Sequence, residues 1–202
     1  MSDGYEYWFF PELDRKDVGV AKLRVLTTFW DKGWLAQENQ PDLTLGGIEA
    51  YAPTEKLASL FSLEDRLGGV TLTMRTRGFE VCEGFGFKGW ELNEIEQIKC
   101  PNCASSHDIN DLNIYEMIDV FKENCVIPTV ACPSCELTFK PAAWISEPRL
   151  SFTYLGFAFW NQPTLLGWPS DGLNPAGEWA LDLPQFMSNL VGSPIYRSFG
   201  RI

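Results

Sequence analysis

The chain has a single histidine, His107, among its 202 residues. One histidine leaves little material for a Ser-His-Asp hydrolytic triad, and the G-x-S-x-G, H-E-x-x-H and phosphate-loop patterns are also missing. Carboxylates are plentiful, so an Asp or Glu acid–base pair stays open. The candidates Glu80 and Glu83 are expected to be simple surface charges on a strand edge. The sequence therefore leaves enzyme activity open and favours a non-catalytic protein.

Positive charge is scarce as well. Lys and Arg total 16 against 27 Asp and Glu, which gives a net charge of −11. Binding a phosphate backbone needs clustered Lys and Arg, so the charge argues against nucleic acid as the main partner. No apolar run approaches the roughly 18 residues of a membrane span, and the first residues do not resemble a signal peptide. We therefore expect a cytoplasmic protein with no membrane partner.

Cysteine, in contrast, is concentrated in two short pairs. Cys100-Pro101-Asn102-Cys103 and Cys132-Pro133-Ser134-Cys135 both have the form C-P-x-C. Two residues between thiols let one tight turn direct both sulfurs at a single ion, and two such turns supply the four ligands of a tetrahedral zinc site. Four thiolates leave no open coordination position. The pattern therefore predicts a structural zinc ion.

The two pairs resemble the metal-binding knuckles of zinc ribbons and rubredoxins, over residues 98–140 only. The resemblance implies metal ligation by Cys100, Cys103, Cys132 and Cys135, and it implies no activity for the rest of the chain. Because rubredoxins hold iron with similar pairs, iron is the alternative metal. A glycine usually follows each pair in rubredoxins, whereas Ala104 and Glu136 follow here. The intervening segment also has a helical pattern, so zinc is preferred.

The same cysteines have competing interpretations. Two disulfides would need an oxidising compartment, and a redox C-x-x-C normally stands alone at a strand-to-helix junction. His107 could replace one thiolate, although its polar loop favours an exposed group or one that contacts the ligands. Cys82 and Cys125 are left over, and we expect them to be buried free thiols.

Apolar periodicity and turn residues predict an α+β fold with a mixed or antiparallel sheet and a few short helices. Strands are expected at 5–10, 48–51, 70–74, 79–87, 150–160 and 195–202, and helices at 55–61, 111–124 and 182–191. Residues 18–34 fit either a helix or a strand. We predict one domain formed by residues 1–97 and 141–202, interrupted by an inserted zinc module at residues 98–140, here called the four-cysteine module.

Acidic residues gather around this module and predict a docking face for a basic protein, because opposite charge steers association. The candidate contacts are Glu91, Glu94, Glu96, Asp111, Glu116, Asp119 and Glu123, with Trp168 as an aromatic anchor. In size, acidity and thiol content the chain is similar to bacterial immunity proteins, which neutralise a toxin by covering it. That resemblance rests on general character and implies a non-catalytic protein-binding role. The alternative is a zinc-ribbon-containing enzyme or a nucleic-acid accessory factor.

Overall fold

The structure is a computed structural model that describes residues 4–45, 47–58, 76–83, 95, 97–146, 150, 152–161 and 183–201. The strands of this part of the chain are β1 (Gly4–Phe9), β2 (Leu35–Asn39), β3 (Glu49–Pro53), β4 (Phe79–Glu83), β5 (Ile98–Lys99), β6 (Ser106–His107), β7 (Val130–Ala131), β8 (Thr138–Phe139), β9 (Leu155–Trp160) and β10 (Tyr196–Arg201). Its α-helices are α1 (Val18–Asp31), α2 (Glu55–Ala58), α3 (Ile114–Asn124) and α4 (Leu183–Val191). The predicted α+β class is confirmed.

Six of these strands form one antiparallel sheet in the order β10-β1-β9-β4-β3-β2. The chain leaves this sheet after β4 and re-enters it at β9, so β5 to β8 and α3 lie outside it. Strand β9 is central, as the apolar run at 150–160 predicts, and every one of its residues is buried. The domain boundaries at residues 98 and 140 stay a prediction.

The two faces of the sheet bury different side chains because successive residues of a strand point in opposite directions. Trp8, Phe79 and Phe157 lie on one face, in the main hydrophobic cluster with helices α1 and α4. Tyr5 and Trp160 lie on the other face, in a smaller aromatic cluster. A strand buried on both faces is hydrophobic throughout, which explains the unbroken apolar sequence of β9.

Residues 18–34, which fit two structures by sequence, form helix α1 and not a strand. Its buried residues include Val18, Ala21, Val25 and Phe29, and this spacing of three and four places them on one face of a helix. The chain then turns at Gly33, whose φ is +66°, a value that glycine adopts without strain. Helix α1 packs against α4 over the sheet, so burial of this stripe decides the structure.

The interpretation of Glu80 as a surface charge on a strand edge is wrong. Strand β4 lies between β3 and β9, and Glu80 is only 5% exposed. Its carboxylate accepts a hydrogen bond of 2.6 Å from the Trp160 indole N–H, which offsets part of the cost of burial. Glu83 is exposed and pairs with Lys22 at 2.6 Å, but it too lies on an internal strand. The predicted strand at 70–74 falls outside the described residues.

None of the helices in the described residues has the length and apolar character needed to cross a membrane.

Candidate metal centre

Each cysteine pair sits in the turn of a short antiparallel hairpin, β5–β6 or β7–β8. In the first hairpin the Cys100 N–H donates to the Ser105 carbonyl at 2.9 Å, and in the second the Cys132 N–H donates to the Leu137 carbonyl at 2.9 Å. The residue after each pair donates back to the first cysteine, from Ala104 at 3.1 Å and from Glu136 at 2.8 Å. The two pairs therefore form the same turn twice.

Both turns close through a residue with left-handed backbone geometry. The φ angle is +57° at Ala104 and +61° at Glu136. These are the positions that follow the cysteine pairs, where a glycine would adopt such angles freely. A residue with a Cβ costs roughly 1–2 kcal/mol there. The turn geometry is thus kept without glycine, and interactions elsewhere in the protein have to offset that strain.

The two turns bring their four thiols together. The Sγ atoms of Cys100, Cys103, Cys132 and Cys135 all lie within 4.8 Å of one another. Across the two hairpins, Cys100 Sγ is 3.8 Å from Cys135 Sγ and Cys103 Sγ is 3.7 Å from Cys132 Sγ. Two thiolates bound to a tetrahedral ion at about 2.3 Å lie about 3.8 Å apart. The cluster could therefore hold one metal ion.

These separations are too long for disulfides, whose sulfurs lie about 2.05 Å apart. No disulfide joins any of the six cysteines, all of which belong to the described part of the chain. The disulfide interpretation of the paired cysteines is therefore not what the structure contains.

Hydrogen bonds favour the thiolate form on one side of the cluster. The Ser105 hydroxyl, 2.9 Å from Cys103 Sγ, and the Ser105 N–H lower the pKa of the Cys103 thiol. Burial raises the pKa of Cys132, but hydrogen bonds from the Ser105 hydroxyl and from the N–H groups of Cys135 and Ser134 outweigh it, and the pKa falls to about 5. Stabilised thiolates of this kind are the form that binds a metal.

The thiol of Cys135 differs from those of Cys103 and Cys132 in the direction of its pKa shift. The Leu137 N–H lowers the pKa of Cys135, but burial and the neighbouring thiols of Cys132 and Cys100 raise it to about 11. Negative sulfurs this close repel one another, so the protein alone does not hold all of them as thiolates. A bound divalent ion would remove that repulsion. The donor set therefore fits a soft cation that accepts four sulfurs.

The two halves of the centre differ in what flanks them. In the first hairpin, His107 Nε2 lies 2.8 Å from Ser105 Oγ and 3.5 Å from Cys132 Sγ. The corresponding positions of the second hairpin hold Leu137 and Phe139. His107 is thus a half-buried group that contacts the ligands, one of the two placements that its polar sequence favours.

A hydrophobic cluster separate from the main one supports the centre. Cys100 and Cys132 belong to it and are each 1% exposed, whereas Cys103 is exposed to solvent. The other buried members are Ile95, Ile98, Ile109, Leu112, Ile114, Ile118, Phe121, Val130, Trp144, Leu150 and Phe152. Leu150 and Phe152 follow the predicted module in sequence, so its core continues into the chain that leads to β9.

Helix α3 runs between the hairpins, and its outward side carries part of the predicted docking face. Asp111, just before the helix, is exposed, as are Glu116, Asp119 and Glu123 on it. The remaining predicted contacts, Glu91, Glu94, Glu96 and Trp168, lie outside the described residues. The partly buried thiols of Cys82 and Cys125 are not ligands of this cluster.

Two apolar residues of α3 were missed by the sequence argument. Tyr115 and Val120 are each 46% exposed, next to the acidic residues of the same face. The signal was present, because the buried stripe Ile114, Ile118 and Phe121 places positions 115 and 120 off the buried side of a helix, one on each flank. The outward face of α3 is therefore both acidic and partly apolar.

Comparisons with protein-family models, with curated proteins and with solved structures found no match for this chain.

Proposed function

We propose that the protein binds one zinc ion through Cys100, Cys103, Cys132 and Cys135 and that this ion has a structural role. The observation that carries the proposal is the spacing of the four thiols, at 3.7 and 3.8 Å across the two turns. Four protein ligands leave no coordination position for water or substrate, so the ion stabilises the fold and does not catalyse a reaction.

Zinc is proposed over iron on the sequence of the turns and their surroundings. Ala104 and Glu136 replace the glycines usual in rubredoxins, and helix α3 stands between the pairs. Metal analysis of protein expressed without added metal tests this directly, since we expect close to one zinc per chain. A red protein with stoichiometric iron would replace zinc by iron, and a metal-free folded protein would refute the centre.

We further propose that the protein is a non-catalytic binder of a basic protein partner. Support comes from the outward face of α3, which carries the exposed carboxylates of Glu116, Asp119 and Glu123 together with the exposed side chains of Tyr115 and Val120. Acidic groups accelerate the encounter with a basic surface, and aromatic and aliphatic groups supply the apolar contact. An inhibitor that covers a toxin, as bacterial immunity proteins do, is the specific form that we propose.

A kinetic comparison tests this binding face. Capture from a lysate of the source cells, followed by mass spectrometry, supplies the partner, and association rates are then measured at low and high salt. We expect Asp119→Lys with Glu123→Lys to slow association by at least about tenfold at low salt, because steering is electrostatic. Tyr115→Ala should mainly speed dissociation.

The matched control is Asp31→Lys with Asp42→Lys. These residues are also exposed, and the pair changes the net charge of the protein by the same amount. If both pairs slow association equally, only the overall charge matters and α3 is not the docking face. Capture of nucleic acid in place of protein would refute a protein-binding role, and a captured protein whose activity is unaffected would refute inhibition.

A cytoplasmic location completes the proposal. The described cysteines form no disulfide, and thiolate ligands persist where glutathione and thioredoxin keep cysteines reduced. Fractionation of source cells, with the protein followed by antibody, checks the location. Recovery from the medium or an oxidising compartment would contradict it.

A further inference from the structure

We propose that His107 is a reserve ligand of the metal centre. When the Cys103 thiolate is lost, Nε2 of His107 takes its coordination position, and the ion is then held by three thiolates and one imidazole. The inference rests on the proposed metal binding, and it goes beyond that proposal because His107 is not one of the four clustered ligands.

The distance between His107 and the thiol cluster supports this ligation. A sulfur at about 2.3 Å and an imidazole nitrogen at about 2.0–2.1 Å from a tetrahedral zinc are about 3.5 Å apart. His107 Nε2 lies 3.5 Å from Cys132 Sγ. With respect to Cys132, the imidazole nitrogen is therefore already at the separation of two ligands of one ion.

Ser105 contacts both the imidazole of His107 and the thiol of Cys103. Its hydroxyl lies 2.8 Å from His107 Nε2 and 2.9 Å from Cys103 Sγ, so this one group separates the imidazole from the thiolate. Rotation of a serine side chain is fast, and it leaves the backbone of the turn in place. The imidazole can therefore reach the Cys103 position by displacing one hydroxyl.

The exposure of Cys103 makes it the ligand that is lost most readily. Cys100 and Cys132 are buried, Cys135 is half-buried, and Cys103 is the exposed ligand of the cluster. Exposed thiolates are the ones that oxidants and electrophiles reach first. A replacement ligand is thus useful at Cys103, whose sulfur contacts the same Ser105 hydroxyl as the imidazole.

The second hairpin allows His107 to be compared with the residue at the equivalent position. Phe139 occupies the position on β8 that His107 occupies on β6, and both rings pack edge-on against Trp144, at 6.3 and 6.1 Å between centroids. Packing on Trp144 alone can therefore be served by phenylalanine. What the imidazole adds is its two polar nitrogens, and one of them, Nε2, lies 3.5 Å from Cys132 Sγ.

The experiment compares Cys103→Ser with its counterpart Cys135→Ser, using Co²⁺ and Zn²⁺ as the probes. We expect Cys103→Ser to keep a tetrahedral Co²⁺ spectrum, with charge-transfer intensity of three thiolates and the visible bands moved to higher energy by the nitrogen ligand. Cys135→Ser, with Phe139 at the equivalent place, should bind Zn²⁺ at least about tenfold more weakly than Cys103→Ser, since changes outside the ligand set alone cost 10- to 100-fold.

His107→Phe separates ligation from hydrogen bonding. If His107 ligates, this change should weaken Zn²⁺ binding at least about tenfold more in the Cys103→Ser background than in wild type. Equal losses in both backgrounds would mean that His107 acts through Ser105 alone and would overturn the proposal. A wild-type chain that binds neither metal would instead refute the metal centre itself.

A second measurement avoids any folding defect of the serine variants. Iodoacetamide alkylates exposed Cys103 in the folded, zinc-loaded protein: the sulfur bonds to the CH₂ carbon, the C–I bond breaks and iodide leaves. We expect the wild type to retain zinc after modification at Cys103 and His107→Phe to release it. Equal release from both proteins would overturn the reserve-ligand proposal.

Discussion

The main sheet and the four-cysteine module differ in the interactions that stabilise them. Two internal strands of the sheet, β1 and β9, are six residues long, and their side chains are buried on both faces. The hairpins of the module have strands of two residues each. Isolated two-stranded hairpins are marginally stable at best in water. The sheet is held by packing over long strands, whereas the module has short hairpins on a smaller hydrophobic cluster, and its four thiols could hold a metal ion that cross-links them.

Among the described residues, Tyr154 and Arg15 connect the two regions. Tyr154 packs against both hydrophobic clusters, and its hydroxyl accepts a hydrogen bond of 3.1 Å from the Ile127 N–H. Arg15, just before α1, donates to the Cys125 carbonyl at 3.4 Å. Because the most closely packed pairs of described elements each lie within one region, we expect damage to the module to spread only partly into the sheet.

The largest effect should come from removing the metal. Cys132→Ser deletes a buried ligand, and structural zinc contributes on the order of 10 kcal/mol to the folding of small zinc domains. We expect zinc content to fall and amide protons of residues 98–140 to lose protection, while those of β1 and β9 keep most of theirs. Hydrogen exchange with mass spectrometry and metal analysis measure both.

Cys82→Ser is the matched control, since it removes a half-buried thiol in β4 outside the metal cluster. It should leave zinc content and module protection unchanged. Uniform loss of protection through the sheet in Cys132→Ser would show that the two regions unfold as one unit. Unchanged protection in the module despite lost zinc would mean that the centre is not structural.

A smaller effect should come from one buried phenylalanine in each region. Phe157 lies in the main cluster, 5.2 Å from Phe79 between ring centroids, and Phe121 lies in the module cluster, 5.5 Å from Phe152; both are 0% exposed. Each change to alanine should cost about 3–5 kcal/mol in the region that contains it. Denaturant unfolding and a competitive zinc titration measure the two consequences.

These two variants are expected to differ in their affinity for zinc. Phe121→Ala should weaken zinc binding, because the turns rest on its cluster, and Phe157→Ala should not. If Phe157→Ala weakened zinc binding as much, the hydrophobic clusters would be acting as a single core.

Local patterns were predictable from the sequence, and distant pairings were not. The cysteine turns depend on residues within six positions of one another, so their spacing was sufficient to predict them. The burial of Glu80 depends on Trp160, which lies 80 residues away, and no local pattern carries that pairing. The sequence of α1 fits both a helical and a strand periodicity. Its helical structure is decided by packing on a sheet whose last strands come much later in the chain. Likewise, the nearness of His107 to Cys132 follows from the second hairpin folding onto the first.

The smallest expected effect is the dependence of stability on pH. The module should lose stability in acid, and the sheet should lose stability in alkali. Thiolate ligation weakens as acid protonates the sulfurs, so the module is the acid-sensitive region. In the sheet, burial and a hydrogen bond of 2.9 Å to Glu49 raise the pKa of Tyr51 to about 12 from its usual 10.0. The hydrogen bond to Glu83, partly opposed by burial, raises the pKa of nearby Lys22, which also pairs with Glu49.

Between pH 10 and 12 the unfolded chain therefore releases protons that the folded chain retains, so the free energy of unfolding falls as the pH rises. We expect Tyr51 to account for on the order of 1–2 kcal/mol of this loss, and Tyr51→Phe should make the wild-type curve shallower over that window while zinc content stays constant. Urea unfolding at fixed ionic strength gives both curves. Parallel curves for wild type and Tyr51→Phe would show that the phenol keeps the same proton affinity in both states, and the alkaline sensitivity would then belong to other groups of the sheet.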